Sequence, residues 1–531
     1  MSHSHPTFDL TREPWISCET QGGAWVDLGL IDVLVRAHEL RSVHDNSPLA
    51  TAVLHRLLLA ALHRIVDGPR ESDEWEVLWL RGHFEGQKVN AYFQTWAHRF
   101  DLFHQDRPFL QVPALREVLL RERGKEPEPI PASRLALERS YYSGTTYLLE
   151  HGGDDAELTP AEAARAMLGF QGFGPGGRIQ NDSGYPKGCP LRTGAVVLVL
   201  GSNLFETLML NLLMPAPSVP RIGPTDLPAW EQPQPAQRET RAVQGWLDAL
   251  TWQARRVQLI PFQKGEQVVV REVITGAGFE PSADWLEPMF AKFVKDVRIG
   301  TETIRFDPNR AVWRDSKALY RAVSPGPEER PVAACAQVAR LVEHDILPYG
   351  ASLRLGLYGL SSSQAAITLW RAEQMPLPVR LLQDEDRQRA ISGALRWVED
   401  GVAKALREAI WQLAKLTLAM DNRSPDKKDV AALASRLNAQ QRYFGAMGAQ
   451  FSAFVSQVGK DGNQDAALSE WKKTAVREAR TAFHEAAEQV GTTARAFQAR
   501  ARAENGFELS IRKLWAEDAP KIENMEQGAK S

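Results

Sequence analysis

The chain has 531 residues, 44% of them hydrophobic, and a formal net charge of −3. That length is too great for one core and predicts on the order of two to four domains, while the near-neutral charge excludes a protein that coats nucleic acid by bulk electrostatics. Cys18, Cys189 and Cys335 are far apart and odd in number, which leaves neither a disulfide framework nor a CxxC zinc pair and makes a reducing cytoplasm the expected setting.

The first 30 residues read as short extended pieces, Phe8 to Leu10, Trp15 to Ile16 and Trp25 to Val26, separated by polar and glycine turns. Ser47 and Pro48 then predict a helix start, followed by Leu49, Val53, Leu57, Ala60 and Arg64 at helical spacing. Its apolar run from Leu57 to Leu62 is short and flanked by Arg56 and His63, and no leader pattern precedes it, so neither secretion nor a membrane span is expected. Aromatic residues are dense from Trp75 to Leu110. Among the 15 tryptophans of the chain, a place in the core is the plainer reading than a place in an interface. Residues 116 to 135 are charged and proline-bearing, and with Ser143 to Asp155 they read as a long exposed loop. Thr159-Pro160-Ala161-Glu162 has the form of a capping box opening a short helix that runs to about Phe170 and stops at glycines.

Val196 to Leu200 and Val268 to Ile274 are strand-like, and Pro215 to Gln237 is a proline-rich connector. After Met375-Pro376-Leu377-Pro378 prolines nearly vanish, which marks a domain boundary at about residue 375. Beyond it Ile391, Leu395, Val398, Val402, Leu406, Ile410, Leu413, Leu416 and Met420 form an apolar seam on one long helix. Similar patterns over 428–458, 463–490 and 492–517 complete an up-down bundle. The expected fold class is therefore α+β: a mixed α/β domain over 1–375, a four-helix bundle over 380–520, and a disordered tail over 521–531.

Gly172-Phe173-Gly174-Pro175-Gly176-Gly177 has the spacing GxGxxG, but a helix precedes it and a polar, turn-rich stretch follows. A dinucleotide fingerprint needs a strand before and a helix after. Such a loop can still bring bare backbone N–H groups against another polymer, with Arg178 and Lys187 nearby, or it can be a tight connection between packed elements. Trp252-Gln253-Ala254-Arg255-Arg256-Val257-Gln258-Leu259 reads as a strand with one basic side, followed by a turn at Gln263-Lys264-Gly265. Lys264 could reach a phosphate or base edge there, or simply be solvated. Ser361 to Ala366 reads as a small polar loop carrying Gln364, or as a cap leading into a helix from Ala365 to Trp370. His344-Asp345 matches the metal dipeptide of HD phosphohydrolases without recognisable further ligands, and His55 and His63 share a helical face where packed or solvated histidines are the rule. No pattern of nucleophile, base or phosphate loop supports catalysis, and no metal or cofactor is expected.

The order and spacing of several stretches resemble one family over nearly the whole chain: the large subunit of the type I-E CRISPR Cascade complex, often called CasA. These stretches are Phe8 to Ile16, Ala37-His38-Glu39-Leu40, Arg99 to Phe103 with Arg107-Pro108-Phe109, Thr159 to Ala164, the glycine loop, Trp252-Gln253 with its arginines, and Ser363-Gln364-Ala365. The resemblance implies a non-catalytic subunit of an RNA-guided surveillance complex. Such a subunit reads the short motif beside the target, the PAM, from the minor groove of double-stranded DNA, starts strand separation for R-loop formation, and recruits the nuclease-helicase.

The glycine loop then falls on Gly172, Gly174, Gly176 and Gly177, a lysine finger on Lys264, and a glutamine wedge on Gln364 between Ser363 and Ala365. The segment with Gly144, Tyr147 and Leu148 would dock near the 5′ end of the guide RNA and the neighbouring crRNA-containing subunits. Arg477, Arg480, Arg495, Arg500 and Arg502 are available to DNA or neighbouring subunits, and a solvated face explains them equally. Pro175 interrupts the glycine run and stiffens it. Cysteines that accompany the lysine finger in some relatives are missing between Trp252 and Phe279. A metal-dependent phosphohydrolase using Asp345 and a purely structural interaction subunit are the alternatives.

Overall fold

A computed structural model describes residues 5–138, 157–177, 187–235, 237–282, 287–296, 300–321, 329–363, 366–419 and 424–518. The chain divides into two compact units, residues 1–383 and 384–531.

The first unit is mixed. A small antiparallel sheet (Trp25–Leu28, Ile16–Thr20, Leu40–Val43, in that order) leads into the core helix Pro48–Val66. Ser47 Oγ accepts from the Ala50 N–H at its start, and Asp67 ends it in the left-handed conformation (φ 57°). This helix is long and apolar enough to cross a membrane, but 83% of its apolar window is buried within the fold, so it is a core helix. The dense aromatic stretch is core, as the sequence suggests: Phe100 stacks on Phe109 at 5.1 Å and meets Trp230 at 5.4 Å. Arg99 donates to the carbonyls of Trp230 and Gln232 and so pins the proline-rich connector. The opening segment is tied to the same place, since Asp101 Oδ1 accepts from the N–H of Phe8 and of Phe103.

Two three-stranded sheets position the site. One has the order Ala366–Pro378, Ser352–Ser363, Val196–Leu200; the other has Ile130–Pro131, Gln267–Ala277, Arg255–Lys264. Two sequence expectations change. Leu115–Arg123 is a helix rather than loop, because Leu115 and Leu119 pack with Val112 and Ile274 in a small apolar cluster. The strand Ala366–Pro378 also runs straight through Met375 and both prolines, which an edge strand tolerates. The compact units therefore part later than the proline signal, between Gln383 and Asp384. Gly144, Tyr147 and Leu148, and the tail 521–531, lie outside the described residues.

The second unit is helical. Glu385–Arg396, a wide π-type turn over Trp397–Val402, and Ala403–Leu418 form one continuous rod whose seam residues Leu395, Val398, Val402, Leu406 and Leu413 are buried. Gln464–Glu488 and Ala494–Asp518 match their expected spans. The stretch expected as a single helix over 428–458 is two, Lys427–Leu437 and Ala439–Val458, because Asn438 takes a left-handed conformation (φ 54°).

Candidate nucleic-acid interface

The helix that leads to the glycine loop is fixed at its start by a complete capping box: the Glu162 N–H donates to Thr159 Oγ1 (3.2 Å) and the Thr159 N–H to Glu162 Oε2 (2.9 Å). It does not stop at Phe170. It continues to Phe173, carrying Gly172 inside it, with Gly174 as the capping residue. A Cβ on Gly172 would stand 2.8 Å from Val53 Cγ1 and 3.0 Å from Leu191 Cδ1, so this glycine is where the helix touches the core helix. Gly174 is buried, and a Cβ there would meet the Phe170 carbonyl oxygen at 2.6 Å. Beyond the helix Gly176 and Gly177 are partly open, and Gly177 has φ 99° with open space where a side chain would be. Gly172→Val is expected to cost about 1–3 kcal/mol of stability by overpacking. Thermal melting should register it, while motif preference in the folded fraction stays unchanged; altered preference would return Gly172 to the interface.

The loop is held at a neck. The Cys189 N–H donates to the Gly174 carbonyl at 2.9 Å. Arg255 Nη2 donates to the Pro175 carbonyl (2.8 Å) and to the Lys187 carbonyl (2.9 Å). The backbone of Arg255 is itself gripped by the Gln171 amide, which accepts from its N–H (2.9 Å) and donates to its carbonyl (2.7 Å). This corrects the expected basic strand side: Arg255 and Arg256 are 2% and 1% exposed. Arg256 pairs with Glu122 (2.8 Å) and donates to the Ala277 carbonyl. Adjacent strand residues point to opposite faces, so two neighbouring arginines cannot line one side. That signal is present in the sequence. Arg178 lies outside the described residues, whereas Lys187 is exposed.

Lys264 stands at the tip of the hairpin Arg255–Lys264/Gln267–Ala277, whose turn uses Gly265 at φ 62°. Its Nζ is 2.8 Å from Glu157 Oε2, and Arg271 reaches the other carboxylate oxygen of the same residue. Hydrogen bonds from Lys264 and Arg271 hold the Glu157 carboxyl below the usual carboxylate range. The Leu158 and Val270 backbones bond to each other in both directions, which ties this tip to the start of the capped helix. Since Arg255 at the strand's other end holds the neck of the glycine loop, the length of the strand, about 30 Å at ~3.3 Å per residue, separates Lys264 from that neck.

Ser363 and Ala366 pair across the end of the second, longer hairpin. Gln364 and Ala365 lie outside the described residues. The alternative of a cap and helix is overturned, because Ala366–Pro378 is a strand. The third strand of this sheet pairs only from Arg354 to Tyr358. Gly359 to Ser363 therefore run past it with their hairpin partner. At its start this run touches the segment that follows the glycine-loop neck: a Cβ on Gly359 would stand 3.2 Å from the Gly194 carbonyl, and the turn Pro190–Thr193 connects Gly194 to Cys189. The structure thus packs the hairpin, at Gly359, against the segment that follows the glycine-loop neck, and puts Lys264 a strand's length from that neck.

No described group of three His, Cys, Asp or Glu residues could hold a metal. His344 and Asp345 are the exposed end of the helix Ala333–Glu343, with Asp345 at φ 58° as part of its termination. His55 and His63 are buried, and burial lowers both imidazoles, His63 to about 3. In the bundle Arg480 pairs with Glu508 at 2.7 Å, and Arg500 donates to the Glu488 and Gly491 carbonyls.

A family model described as CRISPR-associated protein Cse1 matches residues 9–482. The CRISPR-associated protein CasA/Cse1 of Thermus thermophilus is 32% identical over 516 residues, covering 94% of this chain and 96% of that protein. A crystal structure of Thermus thermophilus CasA superposes with a TM-score of 0.79 at 30% identity, covering 96% of this chain and all (100%) of the other. Cse1 of Acidimicrobium ferrooxidans gives 0.80 at 25% identity, over 98% and 100%. A chain of a structure described as a CRISPR RNA-guided surveillance complex shares the fold, with a TM-score of 0.71 at 24% identity over 95% and 100%. With the family model spanning most of the sequence and this fold behind it, the chain belongs to the CRISPR-associated Cse1 (CasA) family.

Proposed function

We propose that the chain is the large, non-catalytic subunit of an RNA-guided DNA surveillance complex. It reads a short motif beside the target from the minor groove and starts strand separation. Membership in the Cse1 family and the likeness to a chain of a surveillance complex support the subunit role. The observations that support the reading of DNA are two: partly open backbone at Gly176 and Gly177, and a long hairpin whose strand packs at Gly359 against Gly194, in the segment that follows the neck of that loop, and whose connection carries Gln364 in the sequence. The minor groove offers a degenerate set of acceptors that suits backbone N–H donors and gives a tolerant code. A side chain inserted at the next base step can unstack it at a cost of a few kcal/mol.

Lys264 serves the same duplex at a separate point, as a cation that exchanges Glu157 for a phosphate. The segment with Gly144, Tyr147 and Leu148 docks the subunit near the 5′ end of the guide RNA, and the subunit recruits the nuclease-helicase once the target is bound. The test is binding of the assembled complex to duplexes with matched and mismatched flanking motifs. Gln364→Ala is expected to reduce the matched-to-mismatched ratio about tenfold or more, while Lys264→Ala weakens both duplexes alike. Full retention of the ratio in Gln364→Ala would leave the hairpin a structural element.

A further inference from the structure

The neck of the glycine loop concentrates positive charge in an unusual way. Arg255 is almost fully buried, and its described partners are carbonyls: Pro175, Lys187 and its own neighbour Ala254. Its Nε is buried without a hydrogen-bond partner among the described residues. A buried guanidinium that faces dipoles instead of a carboxylate keeps its charge unneutralised, and in a poorly solvated place that potential reaches the surface above it. Lys187 is exposed at that surface, with its backbone fixed from two sides. Its carbonyl accepts from Arg255, and its N–H donates to Glu280 Oε1 at 3.2 Å. Glu280 also pairs with Arg238 at 3.2 Å, and among the described residues no carboxylate forms an ion pair with the Lys187 ammonium. Lys264, by contrast, is paired with Glu157 at the far end of the hairpin.

We infer that Lys187 is the phosphate-contacting cation of the glycine loop, and that Arg255 is its positioning residue. Arg255 holds the carbonyls on either side of the loop excursion, so that the open backbone at Gly176–Gly177 and the Lys187 ammonium are presented together. A DNA backbone phosphate beside the groove is the ligand. Binding would replace water around one exposed lysine without breaking an ion pair among the described residues. The inference rests on the reading of the loop as a DNA contact.

The experiment measures binding of the assembled complex to matched and mismatched duplexes across a salt series. Lys187→Ala is expected to weaken both duplexes equally, on the order of fivefold, and to lower the slope of log affinity against log salt by about one. Lys187→Arg should restore both. Arg255→Lys keeps the charge but cannot span two carbonyls, so it should reproduce the Lys187→Ala loss, and the double variant should lose no more than either alone. Gly177→Val serves as the control for the loop itself. If Lys187→Ala matches the parent in affinity and slope while Gly177→Val loses target binding, the assignment of Lys187 is overturned and the loop reading stands. If neither variant changes binding, the loop reading falls and takes this inference with it. Additive losses in the double variant would remove the positioning role of Arg255.

Discussion

Glu287→Ala is expected to be the most damaging single truncation in the first unit, at about 3–5 kcal/mol. Glu287 is 1% exposed at its side chain and lies 2.9 Å from Arg56, itself 3% exposed, in the middle of the core helix. Arg56 also donates to the Ala249 carbonyl at 2.8 Å and lies over the Trp246 ring at 5.6 Å. Removing the carboxylate leaves a guanidinium in apolar surroundings with too few acceptors, and the penalty is that of an uncompensated buried charge. Replacing both partners, Arg56→Met with Glu287→Met, should recover much of the loss, since an apolar pair leaves no charge behind. Chemical denaturation of the three proteins checks this. A single truncation that melts like the parent would show that the pair is wet and worth little.

Acid should weaken the fold before most carboxylates titrate. His63 is buried with neither ring nitrogen bonded among the described residues, and burial holds its imidazole at about 3 against an ordinary value of 6.5. The folded value lies below the unfolded one, so the unfolded chain takes up a proton first. Stability contributed by neutral His63 is complete above 6.5 and is lost as the pH falls toward 3, at about 1.4 kcal/mol per pH unit. At about pH 5 the loss amounts to roughly 2 kcal/mol, with His55 adding in the same direction. His63→Leu should flatten the slope of stability between about pH 6.5 and pH 5. Parallel slopes in parent and variant would mean that His63 is hydrated or bonded in the folded state.

What the sequence shows of this fold depends on whether the signal is local. Ser47, Thr159 with Glu162, and the apolar seam from Leu395 to Leu413 all act within one or two helical turns, and each is found as expected. Gly172 reads as loop because a glycine costs a helix about 1 kcal/mol in isolation. Its compensation is contact with Val53 and Leu191, distant in the chain. The hairpin at Gln364 is hidden because its two connecting positions carry neither Gly nor Asn nor Asp, the residues that announce tight turns. Arg255 and Arg256 mislead for a different reason. Burial of arginine is rare, and only the fold supplies the carbonyls and the carboxylate that make it possible. The kinship of the chain is legible throughout, yet the packing of the long hairpin at Gly359 against Gly194, and the strand's length that separates Lys264 from the glycine-loop neck, need the tertiary structure.

The longer hairpin can be regarded mechanically. Its tip overhangs the third strand by Gly359 to Ser363, a reach of about 15 Å. Its root, from Arg354 to Tyr358, is bonded on one side to its own hairpin partner and on the other to Val196–Leu200, with Leu355 and Leu357 fully buried. It is a cantilever with a stiff foundation. Under the proposed wedge role, a load on Gln364 from a base stack resisting separation would be delivered as shear along ladders of backbone hydrogen bonds into the core sheet, and only secondarily as bending of a loop. The parts that would yield first are therefore not those nearest the load. Substitutions that loosen the root, such as Leu357→Ala, should then blunt the proposed wedge while its own residues are untouched.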